Sequence, residues 1–133
     1  MNRKAHIHQR VRQQHASELA QDYVEAIYEI LEAQETVRIL HLQEIFGVSH
    51  VTVIRTLKRL EEQGLVSGTR SKDIRLTAKG KGIAKKAAAR HTLLRNFLIA
   101  LGVGEEQADA DAEGAEHHLS DETLGAIQKF LDR

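Results

Sequence analysis

The chain has 133 residues, 41% hydrophobic and 29% charged, with no cysteine, no proline and a formal net charge of zero. That size admits one domain, or a small head with an appended helical module. The missing cysteines exclude disulfides, thiolate metal sites and cysteine nucleophiles, and no apolar run approaches the ~18 residues a membrane helix needs. With no signal-peptide core near the start either, the expectation is a soluble, cytoplasmic protein that meets no membrane. The zero charge averages four blocks. Residues 1–17 hold Arg3, Lys4, Arg10 and Arg12 without an acid, and residues 18–54 hold seven acids against Arg38. Residues 55–95 hold twelve Lys/Arg against Glu61, Glu62 and Asp73, and residues 96–133 hold nine acids against Lys129 and Arg133. A basic middle between acidic blocks implies a polyanion-binding surface and a separate acidic site.

Residues 1–17 show no apolar period, which predicts a mobile basic arm whose His6, His8 and His15 are surface residues. From Glu18 to Glu35, Val24, Ile27, Tyr28 and Leu31 recur at helical spacing and predict an amphipathic helix. Arg38–Phe46 repeats the period until Gly47 interrupts it. Ser49 is a good N-cap for a third helix with the apolar stripe Val53, Leu57 and Leu60, ending near Gly64. Helix, short glycine-containing turn and helix make a helix-turn-helix. Leu65–Val66 and Ile74–Leu76 then flank a turn-forming stretch and predict a β-hairpin wing. Thr77 caps a long helix reaching Leu101, stopped by Gly102 and Gly104. Helices over about 105–118 and 120–131 follow, the second capped by Ser120. The fold class is therefore mainly α with a small β-hairpin: a winged helix-turn-helix DNA-binding domain (18–77) and a helical dimerisation domain (78–133).

Opposite the apolar stripe, the third helix displays His50, Thr52, Arg55, Thr56 and Arg59 just after Ser49. Such a helix fits a major groove, where His50, Thr52 and Thr56 are short enough to read base edges and Arg55 suits guanine or phosphate. Arg59, Lys58 and the wing residues Arg70 and Lys72 suit phosphates, which position without specifying. No aromatic residue interleaves with these cations, so duplex DNA is favoured over stacked single strands.

Glu113, Glu116 and His117 lie at i, i+3, i+4 and share one side of a helix. Asp22 and Glu25 are likewise one turn apart on the first helix. Clustered carboxylates repel each other, and a divalent cation reverses the sign of that interaction; His91 on the long helix can close such a site. Gly114 within the helix predicts a close backbone approach.

Asp22-Tyr-Val-Glu25, Gly47-Val-Ser-His-Val-Thr-Val, Leu76-Thr-Ala-Lys-Gly80, Arg90-His91, Asn96-Phe-Leu and Glu113-Gly-Ala-Glu116-His117-His118-Leu-Ser120 occur in register. Over residues 18–131 the chain resembles the manganese transport regulators of the diphtheria-toxin-repressor (iron/manganese-dependent repressor) family. The resemblance implies a homodimeric winged-helix repressor that binds a pseudo-palindromic double-stranded DNA operator. It also implies metal ligands Asp22, Glu25, His91, Glu113, Glu116 and His117, with Glu113 and Asp22 near the junction of a two-ion cluster in each subunit. Val51 stands where many relatives place proline. The chain ends at Arg133, which sets the expectation that the barrel-like domain of iron-responsive relatives is missing.

Four carboxylates and two imidazoles make a hard donor set. The iron-responsive relatives place a cysteine where Glu113 stands and a methionine where Asp22 stands. The metal expected is Mn(II), with Fe(II) second, while zinc can bind without activating because it favours four ligands. Two imidazoles argue against a calcium or magnesium site. Three rival readings remain: an Fe(II)-responsive repressor of the same family, a winged-helix repressor switched by an organic effector, and a di-metal enzyme. Against the enzyme, the sequence has no phosphate loop or nucleophile elbow, and the basic hairpin would be idle.

Overall fold

A computed structural model describes residues 3–133, apart from the side chains of Arg10, Gln13, Gln14 and His15, so the reading of His15 lies outside the described residues. The elements are helix α1 (Arg3–Glu32), α2 (Ile39–Phe46), α3 (His50–Glu62), strands β1 (Val66–Ser67) and β2 (Arg75–Leu76), α4 (Ala78–Ala100), α5 (Glu105–Ala115), a 3₁₀ turn (Glu116–His118) and α6 (Asp121–Leu131). None of these helices is long and apolar enough to cross a membrane. The chain divides into two compact units, Leu19–Lys85 and Met1–Glu18 with Lys86–Arg133, so α1 and α4 each contribute to both.

The Leu19–Lys85 unit is the winged head. Tyr23, Val24, Ile27 and Ile30 of α1 form its floor, and Leu42, Val53, Leu57 and Leu60 pack against them. Tyr23 and Phe46 stack with ring centroids 4.2 Å apart. The turn between α2 and α3 depends on Gly47, whose φ of 63° is left-handed and lets its N–H reach the Gln43 carbonyl, a conformation glycine adopts without penalty. The antiparallel strands pair Val66 with Leu76 and Ser67 with Arg75, and bury Leu65, Val66, Ile74 and Leu76. Thr77 closes the unit: its hydroxyl donates to the Gly64 carbonyl at 2.6 Å and accepts from the Gly80 N–H at 3.1 Å, capping α4.

The other unit has a thinner core. Leu94, Ala112 and Leu124 are buried together, flanked by Leu93, Leu98, Leu119 and Ile127. Phe97 meets Phe130 edge to face, yet Phe130 stays half exposed. Ser120 caps α6 by accepting from the Thr123 N–H at 3.1 Å.

Two expectations are corrected. Residues 3–17 are not an irregular arm but the first four turns of α1: Arg, Lys, Gln and Ala are good helix formers, and neither glycine nor proline intervenes. No apolar period marks this stretch because its described side chains, Ile7 and Val11 included, are exposed. Nor does Gly114 mark a close approach, since a Cβ there would meet nothing within 4 Å.

Candidate DNA interface and metal centre

Ser49 caps α3 by accepting from the Thr52 N–H at 3.2 Å and exchanges a hydroxyl hydrogen bond with Thr52 at 3.0 Å. His50, Thr52, Arg55 and Arg59 are exposed on α3, as are Arg70 and Lys72 on the wing. Thr56 is the exception. It is only 9% exposed, its hydroxyl donates to the Thr52 carbonyl at 2.8 Å, and it hydrogen-bonds the Tyr23 phenol. Thr56 is therefore a core residue, not a base reader. It lies at i+3 from Val53 and one residue before Leu57, so the buried stripe is wider than three apolar residues suggest.

Burial pushes the Tyr23 phenol above its usual range, against the lowering effect of the Thr56 hydrogen bond. The wing is tied to α3 through Glu61, whose Oε2 accepts from both the hydroxyl and the N–H of Thr69. Those two bonds, hydroxyl first, hold the Glu61 carboxyl below the usual carboxylate range, with help from the charge of Arg70.

Between α3 and the wing lies a cleft of 1010 Å³ with apolar walls from Ile54, Leu57 and Ile74 and cations from Arg38, Lys58 and Arg70. Sequence reasoning missed two features of this surface. Arg38 precedes α2 and was outside every motif. Val51 and Ile54, 61% and 46% exposed, stand on the outer face of α3, where apolar side chains can meet thymine methyl groups. Their signal was their position outside the stripe.

The acidic site is built around the end of α5. A helix through residue 118 was expected, but α5 tightens into a 3₁₀ turn at Glu116. Glu116 and His117 are thereby buried, with side-chain exposures of 0% and 6%. His91, on α4, faces them: its Nδ1 lies 3.1 Å from Oε2 of Glu113 and 3.8 Å from Oε2 of Glu116. Nε2 of His117 lies 3.7 Å from Oε1 of Glu116. Nδ1 of His91 is buried and makes no hydrogen bond despite the nearby carboxylates. Side chains that converge in this way suit a common cation, and the oxygen and imidazole set fits a divalent ion of intermediate hardness. Asp22 and Glu25, in the other unit, are half-buried one turn apart on α1.

Around this group, Oδ1 of Asp109 accepts from Nε of Arg95 at 2.8 Å and lies 3.4 Å from Nε2 of His91. His118 pairs with Glu18 of α1 at 2.7 Å, so the N-terminal turns of α1 anchor the 3₁₀ turn. Neither Asp109 nor Arg95 belonged to a sequence motif; the i+4 spacings of Asp109 to Glu113 and of His91 to Arg95 were the available signal.

Two family models match the chain. Residues 15–73 match the iron dependent repressor, N-terminal DNA binding domain, and residues 77–133 match the iron dependent repressor, metal binding and dimerisation domain. The chain is 38% identical over 135 residues to the transcriptional regulator MntR of Escherichia coli O157:H7, covering 100% of this chain and 87% of that protein. It is 35% identical over 107 residues to the HTH-type transcriptional regulator MntR of Bacillus subtilis (strain 168), covering 80% and 75%. Among solved structures, a manganese-dependent transcriptional repressor in complex with manganese superposes with a TM-score of 0.76 at 35% identity, covering 85% of this chain and 52% of that one. The manganese regulator SloR gives 0.73 at 30% identity, covering 85% and 53%. The chain thus spans about half the length of these two solved structures. All of these relatives are regulators, which sets the di-metal enzyme aside. With a basic winged head and a carboxylate–imidazole cluster in the segments matching its two domain models, the chain belongs to the iron-dependent repressor family.

Proposed function

We propose that the protein is a Mn(II)-activated repressor of manganese uptake genes, acting in the cytoplasm as a homodimer on a pseudo-palindromic double-stranded DNA operator. The observation that carries this reading is the buried carboxylate of Glu116, set between the imidazoles of His91 and His117. Buried carboxylates are characteristically paired or metal-bound, and a cation here would engage this one together with both imidazoles. The proposed ligands are Asp22, Glu25, His91, Glu113, Glu116 and His117, for two ions per subunit. The absence of sulfur from that set favours manganese over softer ions, and the names of the relatives agree. Bound manganese supplies positive charge that offsets the mutual repulsion of these carboxylates.

On the DNA side, Thr52 and His50 are placed to read bases, with Arg55 on guanine or phosphate. Arg59, Arg70 and Lys72 suit the backbone, and Ser49 fixes the start of the reading helix. Two such heads in a dimer read half-sites about 34 Å apart. His91, Glu113, Glu116 and His117 come from α4, α5 and the 3₁₀ turn of one unit, so an ion held by them restricts how these elements move. An ion that prefers the DNA-competent arrangement shifts the population toward it. The test is DNA binding after dialysis against chelator, followed by addition of manganese, ferrous iron, zinc or cobalt. Manganese is expected to restore binding and zinc to bind without restoring it. DNA binding that survives the chelator would contradict metal activation, and restoration by ferrous iron alone would make the protein an iron sensor.

A further inference from the structure

We propose that Asp109, held by Arg95, is a positioning residue that fixes the tautomer of His91 for metal binding; the inference rests on the metal reading above. A neutral imidazole carries one N–H and one lone pair. Nε2 of His91 lies 3.4 Å from Oδ1 of Asp109, while Nδ1 lies 3.1 Å from Oε2 of Glu113. Ionised carboxylates only accept, so Asp109 and Glu113 compete for the single ring proton. If Glu113 took it, the lone pair would turn away from the cluster. If Asp109 takes it, Nδ1 presents its lone pair to Glu113 and Glu116. The buried Nδ1 makes no hydrogen bond, which fits the second arrangement.

Arg95 gives Asp109 its advantage. Its Nε donates to the same Oδ1 at 2.8 Å and holds the carboxylate beside the ring from one turn further along α4. The geometry repeats on both helices: His91 and Arg95 are four residues apart on α4, and Asp109 and Glu113 four apart on α5. Metal-binding histidines generally donate the second ring N–H to such a carboxylate, and its loss weakens metal affinity by about 10–100-fold. Asp109 is 51% exposed and Arg95 32%, and exposed pairs add little to folding stability. The arrangement is thus better suited to orienting the ring than to holding the helices together.

The test pairs manganese affinity with the ring ¹⁵N chemical shifts of His91 in the metal-free protein, which distinguish the two tautomers. The wild type is expected to show an Nε2–H ring. Asp109→Ala is expected to mix the tautomers and weaken manganese binding by about 10–100-fold, with helix content unchanged. Asp109→Asn keeps an acceptor oxygen and should retain the Nε2–H ring with a smaller loss. If Asp109→Ala fails to fold, Arg95→Gln, which loosens the carboxylate without removing it, carries the same test with a partial effect. An unchanged tautomer in these variants, or an affinity within about threefold of wild type, overturns the proposal. A wild type that binds no manganese overturns the metal reading and this inference together; an indifferent variant of a manganese-binding wild type overturns this inference alone.

Discussion

Glu116 and Thr56 are the two buried polar residues among those described, and they are buried for different reasons. Thr56 spends its hydroxyl on the Thr52 carbonyl and the Tyr23 phenol, so it belongs to the head's core. Glu116 sits among ring nitrogens and carboxylates, where burial suits a ligand. Glu116→Ala is therefore expected to abolish metal-dependent DNA binding while leaving helix content by circular dichroism intact; unaltered repression would remove it from the site. Tyr23 has the opposite chemistry. Its phenol is raised above the ordinary value of 10.0 by burial, so the folded state holds the proton more tightly than the unfolded chain does. Its stabilising contribution is complete below 10.0 and is lost as pH rises toward the raised value. Urea midpoints measured from about pH 9 to about 11 should fall less steeply in Tyr23→Phe than in wild type; parallel curves would contradict the burial argument. At this scale the sequence revealed the acidic and histidine side chains through their i, i+3, i+4 spacing. It concealed Thr56 because a threonine on the flank of an apolar stripe looks the same whether it faces solvent or core.

The helix-turn-helix, wing and capped helices were legible because each has its own chemical punctuation: Gly47 in the left-handed region, Ser49 and Ser120 as caps, Thr77 before α4. The first helix was legible only where it is amphipathic. Its exposed turns before residue 18 carry helix-forming residues without an apolar period, so propensity, not patterning, was the signal there. The end of α5 was misjudged for another reason: a 3₁₀ turn is common where a helix ends, and the i, i+3, i+4 spacing of Glu113, Glu116 and His117 looks the same with or without it. Gly80 shows how closely the wing and α4 are joined. A Cβ at this position would lie 2.2 Å from the Leu65 carbonyl oxygen, a backbone atom that cannot swing aside as a side chain can. Gly80→Ala should destabilise the protein by about 1–3 kcal/mol, as overpacking does, measured by chemical denaturation. An unchanged midpoint would show that α4 and the wing can part at no cost.

Across the whole chain, the charge blocks match the two jobs. The basic block coincides with α3, the wing and the start of α4, while the acidic blocks carry the proposed ligands on α1 and α5. The C-terminal unit has few buried apolar residues and leaves Leu101 and Phe130 60% and 50% exposed, as suits a unit whose family model includes dimerisation. Neither the boundary between units inside α1 and α4 nor the pairing of Glu18 with His118 was readable beforehand, because continuous helices conceal which face packs where. In a metal-activated repressor the carboxylate–imidazole group and the reading helix are energetically coupled, and linkage makes the coupling reciprocal. The direct measurement is manganese affinity with and without operator DNA. Manganese is expected to bind more tightly on the operator, by the same factor with which it tightens DNA binding; equal affinities in the two titrations would contradict the coupling.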